Sequence, residues 1–487
     1  MIRVLVVCVA LTLALAGPAG AGGPHMLVGA VDPEVAAASE EQAAAGLDLA
    51  LSAGLGDAVR LAVVWTKGQK APQPETVGAI ENAVTAASAA GATVYLAAYP
   101  SGSSQTPLAA AEQQQFADWV AALARGAPGL RHVIVGNEPN LNRFWLPQFG
   151  PNGEDVAAPA YLATLARTYD ALKRVSPAIE VIGGALSHAG VDRPGTGRDT
   201  HSPTAFVLDM GAAYRASGRT LPIMDAFGFH PYMLDSNEPP TLEHPSSTTI
   251  TIADYGKLVS LLGQAFDGTA QPGSTLPLVY DEFGVQSTIP PEKAALYTGA
   301  EASTVHPVDQ QTQASFYTQA FQLAFCQPNV RAILVFSLID EQSLPGWQSG
   351  VYYADRTPKD SLPIVRAAAN RVRRNALATC PDLQVTPQPK AVFFPSGPPT
   401  SAPSTFPVVL TCDVDCAYRL RIERLPAHST TLARLGQAVG RVGRRIVFPR
   451  TRLAPGRYRF TLWTRAILNR GPPATRVSST FVVRRSA

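Results

Sequence analysis

A chain of 487 residues, with 46% hydrophobic and 16% charged side chains, has the composition of an ordinary globular protein and exceeds the length of one typical domain. Its formal net charge of only +3 argues against nucleic acid or a membrane surface as a partner, since such partners are bound by strongly basic proteins. We therefore expect no nucleic-acid partner and no membrane partner.

The first 21 residues have the pattern of an export signal. Arg3 supplies a positive start, residues 4–16 form an apolar core too short to span a bilayer comfortably, and Ala-Gly-Ala at 19–21 is a small-residue cleavage site. Cys8 lies inside the apolar core and not at the cleavage point, which argues against a lipid anchor. The pattern predicts a protein secreted to the extracellular space or the periplasm.

From residue 25 to residue 380, short apolar runs alternate with segments whose apolar residues recur at helical spacing. This alternation predicts a catalytic domain of the α/β class, a (β/α)8 TIM barrel. The predicted strands are residues 26–31, 58–65, 92–99, 133–138, 179–185, 226–230, 278–282 and 332–338. The predicted helices between them include residues 74–90, 109–124 and 158–175.

Two of these strands end in a carboxylate. A Val-Ile-Val run at 133–135 leads to Glu138, and Pro139 after it cannot donate a hydrogen bond to a strand ladder. A second apolar run ends at Asp281 and Glu282. The separation of the two glutamates fits three βα units, which places them on strands four and seven. Chemistry in such barrels lies at the C-terminal ends of the strands, so we expect the glutamates to meet there.

Three strand ends together resemble glycoside hydrolase clan A, and within that clan the chain is most similar to families 5 and 39. The motifs are Asn137-Glu138-Pro139, His230-Pro231-Tyr232 and Asp281-Glu282-Phe283-Gly284, in that order. A second copy of the first motif, Asn237-Glu238-Pro239, follows no apolar strand and is interpreted as loop. The resemblance implies a retaining glycosidase with Glu138 as acid/base and Glu282 as nucleophile.

The resemblance also implies roles for the residues around the two glutamates. Asn137 matches the residue that bonds the sugar 2-hydroxyl, and Tyr232 matches the tyrosine that contacts the nucleophile. His230 matches a neighbouring site residue, and Arg60 matches the arginine beneath the nucleophile. A cation and a hydrogen-bond donor there keep Glu282 ionised. For each of these residues the alternative is a structural one, such as a core aromatic ring or an interior salt bridge.

Three tryptophans at or beyond strand ends are predicted to stack on sugar rings, with hydrophobic packing as the alternative. They are Trp65, Trp145 and Trp347. Many clan members have a tryptophan at the end of strand eight, where this chain has Phe336-Ser337-Leu338. Trp347 in the following loop is the candidate to take its place. This departure bears on the substrate more than on the mechanism.

Four cysteines remain once Cys8 is removed with the signal, and an even number in an exported chain predicts two disulfides. Three pairings are possible. The most local one joins Cys326 to Cys380 and Cys412 to Cys416. A zinc site is the alternative, although only one pair is closely spaced and no histidine pair accompanies it.

Residues 384–406 are rich in proline and predict a semi-rigid linker. Residues 407–487 then change to period-two patterning and predict a small β-sandwich, similar to the immunoglobulin-like or fibronectin III-like modules of secreted glycosidases. A spacer role is expected for this domain, with carbohydrate binding as the alternative. The arginine-rich segment 441–452 is interpreted as a solvated surface, with contact to acidic polymers as the alternative.

These features predict a secreted, retaining glycoside hydrolase that cleaves β-glycosidic bonds of poly- or oligosaccharides through a covalent glycosyl-enzyme intermediate. Neither a metal nor an organic cofactor is expected, the partner is the carbohydrate substrate, and the protein is expected to be a monomer. One alternative is a catalytically inactive carbohydrate-binding protein on the same barrel. Another is a cell-surface structural protein whose β domain does the work. The presence of both glutamates argues against the first alternative.

Overall fold

A computed structural model of the protein describes residues 22–393, 405–449, 453–478 and 480–483. The predicted export signal and residues 394–404 of the predicted linker lie outside the described residues. Within the described ranges, none of the helices has both the length and the apolar character that crossing a membrane requires.

The larger part of the chain is a closed barrel of eight parallel strands in sequence order, which confirms the predicted (β/α)8 fold. Its strands are β1 (Leu27–Val31), β2 (Ala58–Trp65), β3 (Thr93–Pro100), β4 (His132–Val135), β5 (Glu180–Ser187), β6 (Ala226–His230), β7 (Leu278–Phe283) and β8 (Val330–Val335). Its helices are α1 (Glu40–Ala53), α2 (Pro74–Ala90), α3 (Ala110–Gly126), α4 (Ala157–Val175), α5 (Pro203–Ala216), α6 (Tyr255–Phe266), α7 (Gln310–Cys326) and α8 (Leu362–Arg373).

The strands separate two cores, because alternate side chains of a strand point to opposite faces. Inside the barrel, a cluster of mainly small and branched residues fills the axis, including Ala97, Ile134, Ile182 and Val279. The other face of each strand packs against the helices in one larger core. The filled axis closes the barrel below its C-terminal end, so a ligand can approach the strand ends only from that end.

The fourth strand ends earlier than predicted, at Val135 instead of Glu138. Gly136 adopts a φ of 100°, and Glu138 itself adopts a φ of 42°, so the chain leaves the ladder before the glutamate. A side chain at Gly136 would also collide with the ring of Tyr161, whose hydroxyl donates to the carbonyl of Val135 at 2.6 Å. The backbone nitrogen of Glu138 then donates to the carbonyl of Ala185 in β5 at 2.8 Å. This bond fixes the glutamate at the mouth of the barrel.

The C-terminal part is a sandwich of two antiparallel sheets, as predicted. One sheet contains β9 (Lys390–Phe393), β10 (Thr405–Thr411) and β13 (Arg444–Pro449). The other contains β11 (Cys416–Leu425), β12 (Ser429–Ala438), β14 (Gly456–Ala466), β15 (Ala474–Val477) and β16 (Phe481–Val483). A common core that includes Val408, Leu410, Leu420, Ile422 and Phe460 joins the two sheets. Strand β9 lies inside the segment predicted as linker, since residues 390–393 pair with β10.

Two disulfides join Cys326 to Cys380 and Cys412 to Cys416, which confirms the most local pairing. The first connects the last residue of α7 to the segment that follows α8. Because the helices of such a barrel run antiparallel to its strands, both helices end at the N-terminal face of the barrel. The chain therefore leaves the barrel at the end opposite to Glu138.

The β-sandwich is held at that end by buried polar contacts. The side chain of Asn469 donates to the oxygen of Asn375 at 2.7 Å and accepts from the backbone nitrogen of Cys380 at 2.8 Å. Arg374 forms a bidentate pair with Asp415 at 3.0 and 2.8 Å. Both asparagines are buried. These contacts fix the β domain against the barrel.

Candidate active site

Five polar side chains from four strands converge at the C-terminal mouth of the barrel. Arg60 comes from β2, Glu138 from the turn after β4, His230 from the end of β6, and Asp281 and Glu282 from β7. Successive residues of a regular strand point to opposite faces. In β7 the pairing with β8 is irregular between Tyr280 and Phe283, and this bulge allows both acidic side chains to reach one cation.

That cation is Arg60, which is almost completely buried. Its Nε lies 3.3 Å from Asp281 Oδ2, and its Nη1 lies 2.9 Å from Glu282 Oε1. Its Nη2 donates to Asn137 Oδ1 at 2.7 Å. Burial acts to lower the pKa of Arg60, but Glu282 and Asp281 outweigh burial and raise it. Arg60 is therefore a permanent positive charge beneath the site.

His230 bridges the carboxylates of the site. Its Nδ1 lies 3.1 Å from Glu138 Oε1 and 3.5 Å from Glu282 Oε2, and its Nε2 lies 3.2 Å from Asp281 Oδ2. Burial acts to lower the pKa of His230, whereas Glu282 and Asp281 raise it, and the net result is a pKa of about 10. At neutral pH the ring is thus an imidazolium that donates from both nitrogens.

Glu282 receives a donor on each oxygen. Arg60 contacts Oε1, and the hydroxyl of Tyr232 donates to Oε2 at 3.0 Å. Burial raises the pKa of Glu282 above its ordinary value, and the positive charges of His230 and Arg60 offset this increase only in part. Burial and the charge of Glu282 raise the pKa of Tyr232, so its hydroxyl stays protonated and can donate. Both oxygens of Glu282 are consequently fixed in orientation.

The imidazole bridge also limits how far apart the two glutamates can be. One ring nitrogen lies within 3.5 Å of an oxygen of each carboxyl group. Retaining glycosidases hold their carboxyl groups about 5 to 5.5 Å apart, whereas inverting enzymes need roughly 6.5 to 9.5 Å to admit a water molecule. A shared contact on one nitrogen favours the shorter separation.

A cavity of about 230 Å³ adjoins this cluster. It is lined by residues of the loops after β5, β6, β7 and β8, including His188, Tyr232, Gln286 and Trp347. The ring of Trp347 lies 4.9 Å from that of Tyr232 and meets Phe336 edge-on at 5.6 Å. Trp347 thus lines the cavity beside Phe336 and Tyr232, and both its replacement of the clan's tryptophan and its contact with sugar remain predictions.

The other two tryptophans are not placed in the cavity, and this corrects their assignment as sugar contacts. Trp65 is 0% exposed and packs edge-on against Phe116 with ring centroids 5.6 Å apart. Trp145 is 2% exposed and packs in the same way against Tyr161 at 5.7 Å. A ring without an exposed face cannot stack on a sugar, so both residues are core packing.

Two residues of the site received no role from the sequence. Asp281 is fully buried, and His230 and Arg60 outweigh its burial and lower its pKa, so it is a carboxylate that orients both cations. His188 follows β5 directly and lines the cavity. Burial lowers its pKa to about 4, and its Nδ1 is buried without a hydrogen-bond partner among the described residues. A histidine three residues beyond the predicted fifth strand was the available signal for the second residue.

The solved structures to which this chain is similar include glycosidases. No protein-family model matches the chain, and no curated protein does. Among solved structures, a GH39 enzyme from Xanthomonas axonopodis pv. citri is 15% identical with a TM-score of 0.45, over 88% of this chain and 93% of its own. A GH39 β-xylosidase from Caulobacter crescentus is 17% identical with a TM-score of 0.43, over 83% of this chain and 84% of its own.

The first matches are β-glucuronidase structures from Bacteroides uniformis. One of them is 13% identical with a TM-score of 0.44, over 93% of this chain, and this chain spans 46% of its length. These TM-scores are all below 0.5.

Proposed function

We propose that this protein is a retaining β-glycosidase of the clan A type. The observation that carries the proposal is the pair Glu138 and Glu282, which share the Nδ1 of His230 at the mouth of the barrel. Glycoside hydrolysis needs one carboxylic acid to protonate the leaving oxygen and one carboxylate on the opposite side of the anomeric carbon. This pair supplies both, and its shared contact with one ring nitrogen supports retention.

In the first step, Glu282 attacks the anomeric carbon while Glu138 donates its proton to the departing oxygen, so that a glycosyl ester forms on Glu282. In the second step, Glu138 takes a proton from water, and the water oxygen displaces Glu282. Arg60 and Tyr232 hold the two oxygens of Glu282, which fixes its direction of attack. Two displacements at one carbon give net retention.

Asn137 is proposed to bind the sugar 2-hydroxyl. Because its Oδ1 accepts from Arg60 at 2.7 Å, the amide orientation is fixed and its NH2 group remains the donor for substrate. A hydrogen bond to the 2-hydroxyl strengthens as positive charge develops at the anomeric carbon. Asn137 therefore contributes more to the transition state than to substrate binding.

The proposed substrate is a β-linked poly- or oligosaccharide, and the protein is proposed to act as a secreted monomer without a cofactor. The cavity beside Trp347 and Tyr232 offers aromatic surface and polar groups together, as saccharide sites do. Secretion is supported by the sequence of the first 21 residues and by two disulfides, which persist in oxidising compartments.

The test is hydrolysis of a panel of aryl β-glycosides and β-linked polysaccharides by the wild type, Glu138→Ala and Glu282→Ala. Each variant is expected to lose roughly 10²- to 10⁴-fold or more in kcat. Azide is expected to restore turnover in both variants, and the wild type is expected to give product of retained configuration. Glu238→Ala, from the second Asn-Glu-Pro copy, is the matched control and should keep activity close to that of the wild type.

Activity that survives in both glutamate variants would show that other carboxylates carry the reaction. A wild type that binds sugar but hydrolyses none of the panel would instead support the carbohydrate-binding alternative. An inverted product would contradict the proposed double displacement, since inversion requires a single displacement.

A further inference from the structure

The β domain differs sharply in charge from the barrel. Residues 407–487 contain 16 arginines, no lysine and three acidic residues, a formal net charge of +13. Because the whole chain carries only +3, the first 406 residues carry −10. Such an asymmetry between parts of one chain marks the basic part as a surface for an acidic partner. The net charge of the whole chain conceals this difference between its two parts.

Part of this charge lies on one side of the larger sheet. In β11, Tyr418, Leu420 and Ile422 point into the core, so the residues between them point to solvent. We call the outward side of β11 and β14 the arginine face. It consists of Arg419, Arg421, Glu423, Arg457, Arg459, Thr461, Trp463 and Arg465.

The pairing of β11 with β14 places residues of the arginine face side by side. Arg419 pairs directly with Trp463, and Arg421 pairs with the neighbouring Thr461. The guanidinium groups of Arg419 and Arg421 lie 5.7 and 5.1 Å from the centroid of the Trp463 ring. Cation–π contacts at this distance hold flexible arginines in place over the sheet. When a ligand binds, these arginines therefore lose less side-chain entropy than freely moving surface arginines would.

The arginine face keeps a net positive charge even after the ion pairs within it are taken into account. It has five arginines and one acidic residue, Glu423, which lies 3.3 Å from Arg421 and 3.7 Å from Arg459. Arg419 and Arg465 are exposed on the same side, and Leu435 beside Arg419 is 75% exposed. Arginine binds carboxylate groups through two parallel hydrogen bonds, which suits a ligand with repeated carboxylates.

We propose that the arginine face binds an anionic polysaccharide whose sugars carry carboxylate groups. The choice of a saccharide rests on the proposed function of the barrel, whereas the affinity for a polyanion does not. The β domain is fixed at the N-terminal end of the barrel, through Asn375 and Asn469, and the catalytic cluster lies at the opposite end. A polymer held on the face therefore leaves the mouth of the barrel open.

The test compares the full chain with Arg419→Gln/Arg421→Gln/Arg465→Gln. The matched control is Arg434→Gln/Arg444→Gln/Arg445→Gln, which removes the same charge from the β domain outside the face. Binding of polygalacturonate is measured by calorimetry at about 50 mM salt, where surface charges are little screened. Dextran, a single-stranded DNA oligonucleotide and vesicles containing phosphatidylglycerol serve as further probes.

We expect polygalacturonate to bind the wild type and dextran not to bind. The face variant should lose about tenfold or more in association constant, and the control variant less than about twofold. Equal losses in both variants, no binding of polygalacturonate, or tighter binding of the DNA or the vesicles would overturn the proposal. Hydrolysis of an aryl glycoside, measured separately, should be unchanged in the face variant, so a failure of the proposed catalytic function leaves the binding result intact.

Discussion

At the scale of single residues, the site depends on a buried histidine that is charged. His230 has a pKa of about 10 because Glu282 and Asp281 overcome the effect of burial, against an ordinary value of 6.5. A group whose pKa is raised on folding stabilises the fold fully below its unfolded pKa. That contribution is lost as the pH rises through the folded pKa. Here the window runs from about 6.5 to about 10.

His230→Gln is therefore expected to flatten the pH dependence of stability. Chemical denaturation should show that the free energy of unfolding of the wild type falls between pH ~6.5 and pH ~10 more steeply than that of the variant. The difference at neutral pH should be on the order of a few kcal/mol, since each pKa unit corresponds to roughly 1.4 kcal/mol. Parallel profiles for the two proteins would show that His230 is neutral in the fold.

Trp347 and Trp145 provide a second test at this scale because one lines the cavity and the other is core. Trp347→Ala should raise KM by about tenfold, with a small change in Tm, because it removes ring area beside the sugar site. Trp145→Ala should lower the free energy of unfolding by about 3 to 5 kcal/mol and leave the KM of the folded protein near that of the wild type. Both quantities are measured by steady-state kinetics and thermal unfolding. The reverse pattern would mean that Trp145 contacts the sugar and Trp347 is core packing.

The sequence could not separate these tryptophans, because a position at a strand end does not say which way a ring turns. Trp65 and Trp145 are turned into the helix-facing core, and only the packed structure shows this. The residues with charged or hydrogen-bonding side chains were easier to place. Arg60, Asn137 and Glu282 follow from strand position and motif, and the structure brings them together. Asp281 was missed because adjacent strand residues normally point apart.

At the scale of elements, hydrophobic periodicity and helix- or strand-breaking residues were sufficient to predict most strands and helices of the barrel. Strands β2 and β6 and helix α2 have the predicted bounds, since each is an apolar run or a helical pattern between clear breakers. Strand β4 is shorter than predicted because Gly136 turns the chain out of the ladder. A positive φ at a glycine depends on its surroundings, here on the ring of Tyr161, and the sequence does not show it.

The two disulfides make a further prediction about elements. Cys326 and Cys380 are 54 residues apart, whereas Cys412 and Cys416 are separated by only 4. Closing a longer loop removes more entropy from the unfolded chain, so the first bond is expected to contribute ~4 kcal/mol and the second ~2 kcal/mol. Denaturation of Cys326→Ser/Cys380→Ser and Cys412→Ser/Cys416→Ser should show this order. A larger loss in the second variant would mean that strain or residual structure outweighs loop length.

At the scale of the whole molecule, buried polar groups join the two domains. Asn469→Ala leaves the oxygen of Asn375 and the nitrogen of Cys380 without their partner, at a cost of roughly 1 to 3 kcal/mol for each group. Calorimetry is then expected to show one unfolding transition for the wild type and two for the variant. The exposed Asn152→Ala is the control and should leave the transition unchanged. A single, unshifted transition for Asn469→Ala would contradict rigid docking.

The order of the two domains could be predicted from patterning, but their contact could not. Asn375 and Asn469 are far apart in sequence and belong to no motif, so nothing marks them as partners. The charge difference between the domains was present in the sequence and became meaningful only when the domains were considered separately. That separation underlies the proposal that one end of the molecule binds polymer and the other end cleaves saccharide.

The double-displacement mechanism requires that Glu282 becomes covalently attached to sugar. The most direct measurement is peptide mass mapping after incubation with an activated 2-deoxy-2-fluoro glycoside of the sugar that the substrate panel identifies, which slows the second displacement. We expect one sugar label, on the peptide that contains Glu282, with loss of activity in proportion to labelling. A label on Glu138, or no label on an active enzyme that inverts configuration, would contradict it.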